Sequence, residues 1–143
     1  MKTAAQLIAD KKHKEVISIA PNRPVIDALI ILAEYKIGAL LVMDKDRMVG
    51  IFSERDYARE VVLKGKSSKF TTIEEVMTKN VLVGHGKDTF EKAMTVMTEN
   101  HIRHLPIMDG HNVIGMLSLG DVAKEMIMYQ RNLIKELEGY IKQ

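Results

Sequence analysis

Residues 50–56, GIFSERD, return 65 positions later as residues 115–121, GMLSLGD. The recurrence extends well beyond that turn. At the same offset, 16–57 align without a gap on 81–122, and ten of 42 positions are identical: Val16/Val81, Ala28/Ala93, Glu34/Glu99, Ile37/Ile102, Leu40/Leu105, Met43/Met108, Asp44/Asp109, Gly50/Gly115, Ser53/Ser118 and Asp56/Asp121. Ordinary residue frequencies give about two or three such matches by chance. Most other positions set apolar against apolar. A chain of 143 residues with this internal repeat is a duplication, and it has room for two small units.

Both copies carry the same order of local signals. A short strand (EVISI, 15–19; NVLVG, 80–84) leads through a turn to a helix, about 24–36 and 89–100. Pro24 suits a first helical position and Asp88 an N-cap. Val25, Ala28, Leu29, Leu32 and Ala33 share one helical face, as do Phe90, Ala93, Met94 and Met97. Two strands joined by a polar turn follow: 38–44 with 48–53, and 103–109 with 113–118. A second helix then starts at Ser53 or Ser118, and Gly65 suits the end of the first of these. The class is therefore α+β, with two tandem strand–helix–strand–strand–helix repeats.

Flanking features set the boundaries. Segment 65–71, GKSSKFT, reads as a linker, which divides the chain into 1–67 and 68–143. Thr72 with Glu75, and Thr3 with Gln6, have capping-box spacing. Their offset is 69 rather than 65, so the first copy has four extra residues near DKKH. The last helix, about 120–142, carries Val122, Met126, Tyr129, Leu133, Leu137 and Tyr140 as an apolar stripe at spacings of three and four. That stripe outlasts the repeat and calls for a covering surface, either a second copy in a dimer or its own core.

Composition narrows the function classes. Cysteine is absent, which excludes thiolate metal sites, Cys nucleophiles and disulfides, and fits a reducing cytoplasm. The amino terminus does not read as a signal peptide, and the longest apolar runs fall short of the roughly 18–20 residues of a spanning helix. A net charge of +2 with 5% aromatics speaks against a nucleic-acid surface. GHGKDT (84–89) fails as a phosphate loop, because position 81 is Val and Asp88 follows the Lys. His101 and His104 lack the i,i+4 spacing of a helical zinc pair. The ten methionines read as core filler, and KKHK (11–14) as a solvated face. No nucleophile elbow, carboxylate pair or dinucleotide fingerprint is present, so no catalytic residue is assigned and a non-enzymatic role is expected.

The segments VISIAPNRPVIDAL, GALLVMDKDRMVGIFSERD, IEEVMTKNVLV and IRHLPIMDGHNVIGMLSLGD together resemble a tandem CBS-domain pair, named after cystathionine beta-synthase and also called a Bateman module. Each copy closes with the pattern G-h-h-[ST]-x-x-D, where h is hydrophobic. The resemblance covers nearly the whole chain, and it is strongest to small stand-alone bacterial CBS-pair proteins and to the regulatory insert of inosine monophosphate dehydrogenase. It implies two copies packed sheet to sheet about a pseudo-twofold axis, with clefts between them that take AMP, ADP, ATP, NAD or S-adenosylmethionine. It also implies a homodimer, through repeat packing and the last helix, and an effector protein that reads the bound state.

The Ser-x-x-Asp turn has two uses. By itself it is a helix cap, and the glycine before it, Gly50 or Gly115, permits close packing or a bulge. It can also hold a nucleoside. An ionised Asp accepts two hydrogen bonds, as a ribose diol supplies, and a helix start favours phosphate. Asp56 or Asp121 would then hold ribose while Ser53 or Ser118 meets phosphate, as the matching residues do in the family. Arg55 can pair with phosphate, whereas the second motif has no such charge. The resemblance places Arg103, His104 and Pro106 beside a cleft, with Arg103 or His104 adding phosphate charge and Gly38 and Ala39 leaving room for adenine. The other reading of Arg103 and His104 is a solvated strand edge. Ser18 and Ala20 lie in the turn that touches the base in relatives, and Val83 and His85 depart from it. One good site, with Asp56, and a weaker one, with Asp121, are expected. The leading expectation is a sensor that binds an adenosine-containing ligand. A ligand-independent interaction module is the alternative, with an enzyme or redox-coupled NAD binder and a nucleic-acid binder further behind.

Overall fold

The computed structural model describes residues 1–11 and 15–142. Of KKHK, only Lys11 falls within the described residues. In chain order the elements are α1 (Ala4–Asp10), β1 (Ser18–Ile19), α2 (Val25–Tyr35), β2 (Ala39–Asp44), β3 (Arg47–Ser53), α3 (Glu54–Asp56) running into a π-helical turn (Tyr57–Val62), α4 (Ile73–Val76), β4 (Gly84–His85), α5 (Phe90–Glu99), β5 (His104–Asp109), β6 (Asn112–Ser118) and α6 (Leu119–Lys142). The chain is α+β, with two three-stranded sheets ordered β1-β2-β3 and β4-β5-β6. In each, the first strand pairs parallel to the second and the second antiparallel to the third. Among the described residues, no helix is long and apolar enough to cross a membrane.

Two compact units result. The central unit is Glu15–Leu82, and the split unit is Met1–Lys14 with Val83–Gln143. The expected sequence division at 67/68 falls inside the central unit. The reason is where the two short leader helices dock. The leader of the second repeat, α4, stays with the first repeat's sheet, while α1 joins the sheet of the second repeat. In the central unit, Val25 N–H donates to Thr71 O and Ile73 N–H to Arg23 O, both at 2.9 Å. In the split unit, Ala4 N–H donates to Asp88 O (2.7 Å) and Phe90 N–H to Lys2 O (3.1 Å). Segment 65–71 is thus partly tied down: the carbonyls of Ser68 and Thr71 accept from Ile26 and Val25 at the start of α2, where amides lack intrahelical partners.

The repeat reaches backbone geometry. Lys36 and His101, 65 apart, end α2 and α5 in the left-handed region (φ 54° and 55°). Lys45 and Gly110, also 65 apart, take it again in the hairpin turns (φ 57° and 61°). Both hairpins slip register at the same place, between Val42 and Met43 and between Ile107 and Met108. Gly65 (φ 65°) closes the segment after the π-helical turn, with Lys66 N–H donating to Val61 O at 2.9 Å. Both predicted capping boxes are present: Thr3 N–H reaches Gln6 Oε1 at 2.8 Å and Thr72 N–H reaches Glu75 Oε2 at 2.7 Å.

Some local expectations shift. Pro24 is the N-cap of α2 rather than its first residue. Thr89, not Asp88, caps α5, its hydroxyl accepting from Lys92 N–H at 3.2 Å. Asp88 instead accepts from His85 N–H at 3.0 Å, so GHGKDT is a self-bonded turn that anchors α1. The first strands shrink to two residues each, because only those residues find a parallel partner.

Each unit has its own core. In the central unit Val25, Ala28 and Leu32 pack with Leu40, Val42, Phe52, Ile73 and Val76. In the split unit Phe90, Ala93 and Met97 pack with Leu105, Ile107, Leu117, Val122 and, from α1, Leu7 and Ile8. Ala33, expected on the buried face of α2, is exposed. Only the first part of α6 joins the core: Val122 is buried, and Met126 and Tyr129 pack against it, Tyr129 edge-on to Phe90 at 5.8 Å. Beyond that point Leu133, Ile134, Leu137, Tyr140 and Ile141 are exposed.

The leader segments, α1 itself and the residues just past α4, lie so close to the sheets that a side chain will not fit beneath them. A Cβ at Gly50 would stand 2.6 Å from Met77 Sδ and 2.9 Å from Thr78 O, and one at Gly115 would stand 2.8 Å from Ile8. At Gly139 a Cβ meets nothing within 4 Å. Gly50→Ala and Gly115→Ala are therefore expected to destabilise by about 1–3 kcal/mol, with Gly50 the worse because one obstacle is backbone. Gly139→Ala in α6 should stabilise by about 0.5–1 kcal/mol. Urea midpoints of the three variants give the signs, and a neutral Gly50→Ala would refute the close-approach account.

Candidate functional site: the Ser-x-x-Asp turns

Each copy of the motif sits where the third strand hands over to a helix. In the central unit, Ser53 N–H donates to Asp56 Oδ2 (2.9 Å), Ser53 Oγ donates to the same oxygen (3.0 Å), and Asp56 N–H donates back to Ser53 Oγ (3.2 Å). In the split unit, Ser118 N–H donates to Asp121 Oδ2 (2.8 Å) and Asp121 N–H to Ser118 Oγ (3.1 Å). The cap reading is thus fully realised in both. It also fixes the carboxylate: each Asp is held partly buried at the surface with its lone pairs oriented by the turn.

The hairpin register brings the other candidates alongside. Ala39 pairs with Ser53, and Glu54 N–H donates to Gly38 O at 3.1 Å. The same arrangement places His104 opposite Ser118, with Leu119 N–H donating to Arg103 O at 2.8 Å. Gly38 and Ala39 therefore flank the Ser53–Asp56 turn, which also carries Arg55. Arg103 and His104 flank the Ser118–Asp121 turn of their own unit. Pro106 lies farther along β5, buried, opposite Met116. Ser18 pairs with Leu41 at the outer strand, and Ala20 opens the following turn, its carbonyl accepting from Arg23 N–H at 3.3 Å. Both Ser18 and Ala20 are exposed. Among the described residues, no group of three His, Cys, Asp or Glu is placed to hold a metal ion.

Two further residues reach the carboxylates: Thr78 was not singled out from the sequence, and Lys11 was read there only as part of a solvated face. Thr78, which bridges to Ile51 just after α4, donates its hydroxyl to Asp56 Oδ1 at 3.0 Å. Lys11, just after α1, donates Nζ to Asp121 Oδ2 (3.0 Å) and to Met116 O (2.9 Å). The reading of KKHK as a solvated face is thus corrected for Lys11: its aliphatic stem lets the ammonium reach a carboxylate 110 positions away. The available signal was the change of offset from 69 to 65 just there.

The chain belongs to the CBS-domain family: the family model, described as CBS domain, matches twice in tandem, over 8–63 and 73–128. The fold recurs in a solved CBS-domain protein from Burkholderia ambifaria, 43% identical, with a TM-score of 0.85 over 89% of this chain and 95% of that one. It recurs at 24% identity in the CBS domain pair of protein MJ0100, with a TM-score of 0.77 over 88% of this chain and 96% of that one. Among curated relatives, CBS domain-containing protein CBSX3, mitochondrial, of Arabidopsis thaliana is 36% identical over 82% of this chain, which spans 60% of that protein's length.

The Asp121 carboxyl has a displaced titration. Burial pushes it upward, but the Ser118 amide and the Lys11 ammonium together outweigh burial and hold it below its ordinary value of 3.8. In the unfolded chain Asp takes a proton near pH 4, while the folded carboxyl resists until lower pH. Its contribution to stability is therefore whole above about pH 5 and lost as pH falls through the depressed value. The difference in urea midpoint between wild type and Asp121→Asn should accordingly narrow as pH is lowered from 7 towards 3. A constant difference over that range would remove the Lys11–Ser118–Asp121 network as its cause.

Proposed function

We propose that this CBS pair is a non-enzymatic sensor that binds an adenosine-containing ligand at the Ser53–Asp56 turn, with a weaker second site at Ser118–Asp121. AMP is the leading candidate, followed by ATP, ADP and NAD. The carrying observation is an acceptor turn built twice, in a family that includes a solved CBS pair in complex with 5′-methylthioadenosine and S-adenosyl-L-methionine. Asp56 accepts the ribose hydroxyls in place of its present Thr78 donor, Arg55 pairs with phosphate, and Gly38 and Ala39 keep the flank low enough for a base. Ser18 and Ala20 offer backbone groups to the base edge. At the second turn, Arg103, His104 and Pro106 form the corresponding flank. The setting in this reading is the cytoplasm, and the bound state is read by an effector protein.

The sensor works as a homodimer. Past Tyr129, α6 leaves its own core with Leu133, Ile134, Leu137, Tyr140 and Ile141 exposed. This apolar surface suits a second copy of the same helix. A ligand then acts by favouring one of two dimer arrangements through its differential affinity. The alternative, an interaction module with degenerate turns, keeps the helix and loses the ligand.

Thermal midpoints discriminate between the two. A ligand at 100 times its dissociation constant stabilises by about 2.7 kcal/mol, a shift of several degrees. One of AMP, ATP, NAD or S-adenosylmethionine at millimolar concentration should produce that shift, Asp56→Ala should abolish most of it, and Asp121→Ala should leave most of it. No shift with any of them would favour the interaction module. Independently, Ile134→Glu with Leu137→Glu should halve the mass seen by light scattering without changing the circular dichroism of the core. An unchanged mass would remove α6 from the dimer interface.

A further inference from the structure

The two leader segments treat their carboxylates differently. Thr3 and Gln6 stand to Thr72 and Glu75 at offset 69, and Ile8 lies over Gly115 as Met77 lies over Gly50. At that offset the counterpart of Thr78 is Ala9, which has no hydroxyl to give. The rest of the repeat runs at offset 65, so four residues near DKKH have no counterpart in the other copy. Lys11, in that stretch, supplies what Ala9 cannot. Lys11 Nζ donates to Asp121 Oδ2 at 3.0 Å and to Met116 O at 2.9 Å, where the central unit uses the neutral Thr78 hydroxyl on Asp56 Oδ1 at 3.0 Å.

This substitution changes the charge of the site. Ser118-Leu119-Gly120-Asp121 lacks any counterpart of Arg55, and within the motif itself the only charge is a carboxylate, with Arg103 and His104 on its flank. A polyanionic ligand approaching that carboxylate meets repulsion at short range. With Lys11 in place the pair is neutral, and the ammonium stands beside the group that takes a ribose. An ammonium has three donors. Two go to Asp121 and Met116, which leaves one N–H for a ligand oxygen, and with 34% of its side chain exposed Lys11 is within a ligand's reach.

We propose that Lys11 is the specificity-determining cation of the Ser118–Asp121 site, brought in by the four-residue insertion, and that it makes the site select phosphate-bearing over uncharged adenosine ligands. The proposal rests on the nucleotide reading above and deepens it at the second turn alone. Beside the flanking Arg103 and His104, Lys11 sets on the Asp121 carboxylate itself a positive charge that the second motif does not carry.

The test uses the full chain, labelled with nitrogen-15, and two probes, ATP and adenosine. The Gly120 amide reports the second turn and the Arg55 amide the first. In wild type, ATP should move the Gly120 signal at lower concentration than adenosine does. Lys11→Met should cut the ratio of adenosine to ATP dissociation constants at Gly120 by about tenfold, mainly by weakening ATP. Lys11→Arg should preserve the ratio, and the Arg55 readout should stay within about twofold throughout. Lys11→Gln, which keeps a donor for Met116 without the charge, serves if Lys11→Met does not fold, and it should behave in the same way. An unchanged ratio, or tighter binding of both probes, would overturn the proposal, the second outcome meaning that Lys11 only blocks the carboxylate. Saturable shifts at Arg55 with none at Gly120 would also overturn it while leaving the sensor reading intact. Silence at both amides would end both.

Discussion

Everything at the two turns depends on a leader segment lying against a sheet at a point where the sheet has no side chain. Gly50 and Gly115 leave no room for a Cβ beneath Met77 and Ile8, and that contact fixes how the leader crosses the third strand. The residues just past each leader are then delivered to the Asp of the following turn, Thr78 to Asp56 and Lys11 to Asp121. The same glycine thus serves the core and the site. Helix docking buries Ile8 in one unit and Ile73 and Val76 in the other, and it sets the electrostatic surroundings of the carboxylates.

The two copies have kept the scaffold and diverged in the donor. Backbone geometry repeats down to the left-handed residues Lys36/His101 and Lys45/Gly110, and both strand pairs slip register at the same place. Against that constancy, the exchange of a hydroxyl for an ammonium at the carboxylate stands out as a difference of chemistry rather than of shape. Caps and glycines are constrained by packing, whereas the group that touches the carboxylate from outside the turn is free to vary.

Much of this was legible in the sequence because it is local. Capping boxes at Thr3 and Thr72, the helical faces of Val25–Leu32 and Phe90–Met97, and the hairpins around Lys45 and Gly110 each follow from spacing within a few residues. What escaped was long-range. No periodicity says that α1 docks on the second repeat, since an amphipathic helix of seven residues carries no address. Lys11 and Thr78 were invisible for a related reason: their partners lie 110 and 22 positions away, and a polar residue after a helix reads as solvated until its neighbour is known. The choice between Asp88 and Thr89 as a cap turned on one hydrogen bond, because either residue type can fill the position.

The order in which the units draw on the chain bears on biosynthesis. The central unit is continuous, so its last contact is available once residue 82 has been made. The split unit needs Met1–Lys14 and Val83–Gln143 together, so α1 is synthesised well before the strands it docks on and waits until they have emerged. During translation it is an apolar segment without a sheet, held in waiting across the whole of the intervening unit. Long sequence separation slows closure of such contacts, and a waiting apolar segment is where misassembly and aggregation of nascent chains begin. On the ribosome, the vulnerable element of the pair is α1.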